Sequence, residues 1–161
     1  MTGSSPQESG PVSPVLALAL ATASFIALLI FGLGMTSLIT AEDVIDTPGL
    51  GQVPGILGTT LATAAFAAAL WAAVRRGPAK YSGALWAAVA CFLGYIFGVW
   101  AGALFTGAGL AVSTSVAGRL ATSWFGLVVA GAGLVAAWGG IALVRTRAQR
   151  PRWPWEDEFD E

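Results

Sequence analysis

Few residues in this chain can carry chemistry, and those few are not arranged to do it. Among 161 residues there is no histidine and one cysteine. The chain therefore lacks the commonest general base, the commonest metal ligand and the usual pH switch. No base lies within the apolar block of Cys91, so it reads as a small packing residue rather than a nucleophile. A lone cysteine supports neither an intrachain disulfide nor a cysteine metal site. Outside the acidic end of the tail, carboxylates gather at Glu42, Asp43 and Asp46. Their spacing is not that of an EF-hand loop. Pro48, Gly49, Pro54 and Gly55 beside them mark a solvated, turn-rich segment, with weak Ca²⁺ or Mg²⁺ binding as the sharper alternative. Gly49, Gly51 and Gly55 follow no strand and make no phosphate-binding fingerprint. Thr59, Thr60 and Thr63, with Tyr95, can line a weakly polar path, although such hydroxyls commonly bond to the carbonyl of the preceding turn. The expectation is no catalytic residue, no metal site and no cofactor.

The basic residues encode position instead. Arg75, Arg76 and Lys80 form one cluster, and Arg145, Arg147, Arg150 and Arg152 another, which leaves Arg119 alone of the eight. Only 11% of residues are charged and 56% are hydrophobic, where a soluble domain carries about 25% charged residues. A net charge of −1 gives no field to steer the chain to nucleic acid.

Between the polar segments run four apolar blocks, at about residues 15–40, 56–74, 83–106 and 120–144, and no Asp, Glu, Lys, Arg or His interrupts them. At about 1.5 Å per residue each can cross a hydrocarbon core about 30 Å thick. A spanning segment must satisfy its backbone internally, so each is expected to be a helix. The fold expected is an all-α membrane protein: an antiparallel bundle of four transmembrane helices over residues 15–144, with short loops. A disordered tail over residues 1–14 precedes it and a charged tail over residues 145–161 follows it. Residues 107–119 read as a small, polar loop.

Lys and Arg set orientation. The loop after the second block and the tail after the fourth hold the two clusters, so both face the cytoplasm and the acidic loop faces out. Counting four crossings puts the N terminus in the cytoplasm as well. A cleaved signal is the alternative for the first block, but its leading segment has no basic residue and its apolar run is long. Trp71, Tyr81, Trp86 and Trp138 then mark the inner boundary, and Trp100 and Trp124 the outer one. An aromatic cage for a cation or a quinone-like ring is the alternative reading of these rings.

Helices in lipid associate through close packing. The third block carries Gly94, Gly98 and Gly102 at i, i+4 spacing, a stripe that lets another backbone approach. The fourth has Ala132, Ala136 and Gly140 in register, and the second is rich in alanine, with Gly58 and Ala62. The first is bulkier. The second, third and fourth blocks are therefore expected to form the tight core, with the first on its flank. The stripe serves either as an internal seam, the reading favoured, or as a docking surface.

The tail runs Arg150, Pro151, Arg152, Trp153, Pro154, Trp155, Glu156 and then acidic to Glu161. Arg150 and Arg152 can contact anionic headgroups, while Trp153 and Trp155 can insert at the interface or dock on a partner. The four-span layout and this tail resemble small, uncharacterised membrane proteins of high-GC Gram-positive bacteria, a resemblance that implies no activity and transfers no functional residue. The absence of ionisable groups from the blocks argues against proton relays, voltage sensing and ion-coupled transport. The function expected is a non-enzymatic accessory, assembly or structural component of a bacterial plasma membrane. It would act by lateral helix packing, with lipid around it and either a membrane-protein partner or a second copy of itself beside it. An oligomeric transporter or channel for a small neutral solute is the alternative.

Overall fold

The computed structural model describes residues 13–45, 47, 49–75 and 81–148, and among them all regular structure is helical. Five helices follow in order: α1 (Pro14–Thr40), α2 (Val53–Arg75), α3 (Ser82–Phe105), α4 (Leu110–Thr122) and α5 (Trp124–Ala148). Four of them, all but α4, are long and apolar enough to cross a membrane. The shortest of these, α2 at 23 residues, extends about 34 Å at about 1.5 Å per residue. The 13 residues of α4 extend only about 20 Å and cannot span.

Local chemistry sets the ends. Ser13 caps α1, its Oγ accepting from the Leu16 N–H at 3.2 Å, and Pro14 follows at the first turn, where its missing N–H costs nothing. At the other end Ala41 turns left-handed (φ 53°), a conformation unfavourable for a residue with a β-carbon. The Ser37 hydroxyl donates to the Glu42 carbonyl at 2.6 Å across this turn. Gly107 (φ 86°) supplies the left-handed residue after α3.

The segment expected as a loop over residues 107–119 is instead mostly α4. Its buried residues are Ser113, Val116, Ala117 and Leu120, spaced i, i+3, i+4 and i+7 as one face of an amphipathic helix. Ser, Ala and Gly around them dilute the apolar signal. The fourth span accordingly begins at Trp124, later than expected. Ser123 breaks the chain between α4 and α5: its backbone is extended (φ −90°, ψ 170°), and its hydroxyl donates to the Leu120 carbonyl at 2.8 Å. At its far end α5 runs to Ala148, so Arg145 and Arg147 belong to the helix and not to a separate tail.

Packing also differs from expectation. α2 and α3 form the closest pair, α1 lies along α5, α3 bridges to α5, and α2 barely meets α5. α1 is thus an integral wall and not a flank. Ala17, Ala21, Phe25 and Leu29 recur every fourth residue along its buried row. Phe25 stacks on Phe66 of α2, centroids 4.5 Å apart and planes within 8°.

Large apolar residues are not confined to the interior as in a water-soluble bundle. Ala62, Ala87, Ala103 and Ala137 pack inside among Phe25, Phe66 and Leu70, while Phe31, Leu38, Trp86, Phe97 and Phe105 are exposed, the last at 81%. Such a surface in water would be one large apolar patch. In lipid it faces its own solvent.

Candidate functional site

The glycine stripe lies on the α2–α3 contact. A β-carbon at Gly94 would stand 2.9 Å from the Leu61 carbonyl oxygen. At Gly98 it would stand 2.6 Å from the Gly58 Cα and 2.6 Å from the Leu57 oxygen, and at Gly102 2.5 Å from the Pro54 Cα. Gly58 answers from the other side, where a β-carbon would meet Val99 Cγ2 at 2.8 Å. Two backbones therefore touch along the length of the stripe, the approach that only glycine permits and that gains dispersion and Cα–H···O contacts. With α2 against it, the stripe offers no free surface.

The α3–α5 contact relies on a side chain. Gly133 faces the sulfur of Cys91. Cys91 is fully buried, and its Sγ–H lies 3.1 Å from the Ala88 carbonyl and 3.7 Å from that of Val129 on α5. Gly126 accommodates the Leu120 carbonyl at 2.8 Å and Phe92 at 3.2 Å from where its β-carbon would be. These contacts give the thiol a packing role at the seam.

The α1–α5 contact is looser. Gly140 meets Ala21, and Gly32 meets Val128. Between these points a groove of about 540 Å³ opens, lined by Leu20, Ser24, Leu28, Val135, Gly139 and Leu143 among others. β-carbons at Gly131 and Gly139 would meet nothing within 4 Å.

Aromatic and cationic groups gather at one end. The Arg75 guanidinium lies 4.9 Å from the Trp71 ring centre, and that of Arg145 lies 4.6 Å from Tyr81. Tyr81 in turn is 6.3 Å from Trp138. Such pairs keep a charge near water while the ring stays in an apolar layer. At the opposite end the Trp100 indole N–H donates to Thr114 Oγ1 at 3.3 Å, and Trp124 is exposed. The tail residues Arg150, Arg152, Trp153 and Trp155 lie outside the described residues, as does Asp46.

Glu42 and Asp43 line a small cavity of about 100 Å³ together with Arg119, Ser123 and Phe125. Reading residues 107–119 as a loop separates these groups; the i, i+3, i+4, i+7 row from Ser113 to Leu120 is the signal of a helix there, and only its packing brings Arg119 beside the acidic segment. Among the described residues no three His, Cys, Asp or Glu side chains come together to hold a metal ion. The hydroxyls of Thr59, Thr60 and Thr63 each donate to the carbonyl four residues earlier, at 2.9, 2.8 and 2.8 Å, so their protons are committed to their own helix.

Four long apolar helices with large apolar side chains exposed along their outer faces define an integral, multi-pass membrane protein. The chain belongs to the family of unknown function DUF6121, whose model matches residues 13–161. No curated protein and no solved structure matches it.

Proposed function

We infer that this protein is a non-enzymatic accessory, assembly or structural component of a bacterial plasma membrane, held to its partner by lateral helix packing. Both termini lie in the cytoplasm in this reading. The observation that carries it is the open pair Gly131 and Gly139 on α5, beside the α1–α5 groove. Glycines within a lipid-exposed helix cost conformational freedom, and the bundle itself makes no close approach at these two. A partner helix laid along α5 would use them as α2 uses the stripe on α3.

The test is recovery of the tagged chain from native membranes in gentle detergent, with and without crosslinking. A stoichiometric partner or self-dimer, lost on Gly139→Leu, is the expected result. A monomer under every crosslinking condition would sink the reading. Orientation has its own check. Cys91 is buried and therefore poorly accessible to an impermeant maleimide, so a cysteine at Gln52 should label on intact cells and one at Lys80 only after permeabilisation.

A further inference from the structure

A second cavity, of about 450 Å³, opens under the α1–α2 connection and reaches inward between α2 and α3. It is broadly open at the connection and closes inward at Tyr95. Asp43, Val44 and Ile45 line it from the connection, Gln52, Ile56 and Thr59 from around the start of α2, and Tyr95 from α3. Tyr95 stands ten residues before the end of α3, about 15 Å along the axis, which puts it well inside the apolar span.

Tyr95 is the largest fully buried side chain, with 2% of its surface exposed. Its hydroxyl has no hydrogen-bond partner among the described residues. No buried side-chain nitrogen or oxygen among those residues lacks a partner, so this hydroxyl is reached from open space and not sealed in the core. A phenol both donates and accepts, and an unpaired one deep in an apolar span is costly. Phenylalanine would fill the same volume without that cost. The remaining wall is apolar at Val44, Ile45 and Ile56, and among the described residues its one charged side chain is the Asp43 carboxylate, near the connection. Thr60 and Thr63 do not line this space, so it is a pocket and not a path across the bundle.

We propose that this pocket binds a small amphipathic alcohol or amine, whose hydroxyl or ammonium group pairs with the Tyr95 hydroxyl while its apolar body lies along Val44, Ile45 and Ile56. The Asp43 carboxylate favours the cation over the neutral molecule and disfavours an anion of the same shape. The chain has two tyrosines, Tyr81 and Tyr95, and Tyr81 belongs to the opposite, arginine-bearing end, so it reports membrane partitioning alone.

The experiment labels the full chain in nanodiscs with 3-fluorotyrosine and follows both fluorine resonances by NMR. Benzyl alcohol, benzylamine and benzoate are titrated separately. Saturable movement of the Tyr95 resonance with the alcohol and the amine, without movement of Tyr81 and without response to benzoate, is expected. Asp43→Asn, on the exposed connection, should weaken benzylamine about two- to fivefold, the size of a screened charge–charge attraction acting at a distance, and leave benzyl alcohol unchanged. Thr59→Leu, which fills the pocket, should abolish saturation with the Tyr81 signal and thermal unfolding unaltered. Parallel, linear drift of both resonances overturns the proposal, and so does equal binding of benzoate or a pocket closed to all three probes by a lipid chain.

Discussion

The α2–α3 seam and the α1–α5 contact both contain glycine, and they use it in opposite ways. On α3 each glycine of the stripe faces backbone: Gly98 is covered by the Gly58 Cα and the Leu57 oxygen. On the α1 side of α5, Gly140 is covered by the Ala21 β-carbon, while its neighbour Gly139 faces a groove. The first contact is closed by main chain, which cannot move aside without moving a helix. The second is closed at points by side chains and left open between them. A run of glycines therefore does not by itself show where a membrane protein meets its partners. What decides is whether the same chain has already supplied the opposing surface.

The sharpest way to break this contrast is Gly98→Ala. The added methyl would meet two backbone atoms at 2.6 Å, and neither can yield as a rotamer does. We expect a loss of about 2–3 kcal/mol, the upper part of the range for overpacking, read as a lowered midpoint of thermal or denaturant unfolding in detergent. An unchanged midpoint would mean that α2 and α3 are not in backbone contact.

Gly133→Ala tests the intermediate case at the α3–α5 contact. Here the nearest neighbour is the Cys91 sulfur, with the Ala88 Cα at 3.3 Å behind it. A cost of about 1–2 kcal/mol is expected. Because the obstacle is the end of a side chain, Cys91→Ala in the same protein should restore part of the loss. A double-mutant cycle measures that coupling directly, and additivity of the two changes would count against the contact.

These contrasts were partly legible in the residues. The four spans were, because an unbroken apolar run of that length leaves the backbone no alternative to a helix in lipid. The stripe at Gly94, Gly98 and Gly102 announced a close approach but not which helix makes it, since pairing depends on the tilt and rotation of all the helices together. α1 was misjudged for the same reason: its bulk at Phe25 suggested a flank, yet that ring is accommodated against Phe66 on α2. α4 was missed because its buried face is built of Ser113, Val116, Ala117 and Leu120, whose mixed polarity hides the period. The pocket at Tyr95 was half visible, in the pairing of that residue with Thr59, but its lining by Asp43 and Ile45 depends on a connection folding back over the bundle, which no local pattern encodes.

A smaller effect is expected at the arginine-bearing end. Arg145→Gln removes the cation above the Tyr81 ring, 4.6 Å away, and should cost about 0.5–1 kcal/mol. The α2–α3 seam lies apart from this site, so combining the change with Gly98→Ala should give additive losses. Coupling between them would show that the seam and the interfacial cluster are one cooperative unit.

The smallest expected effect on stability is the most informative about the contrast. Gly139 and Gly140 are consecutive in α5, so they share helix, depth and local propensity. Gly140→Ala brings a methyl within 2.8 Å of the Ala21 β-carbon and 3.4 Å of Leu70 Cδ2, and should lower the unfolding midpoint because α1 must shift away. Gly139→Ala meets nothing within 4 Å, so the midpoint should hold, or rise slightly as alanine replaces the more flexible residue. Equal losses at both positions would place Gly139 inside a closed contact and remove the groove. Should the midpoint of purified Gly139→Leu also hold while the crosslinked species disappears from native membranes, position 139 lies on an interface with another chain and contributes nothing to the fold. A stripe buried by its own bundle cannot produce that separation, because there every loss of contact is a loss of stability.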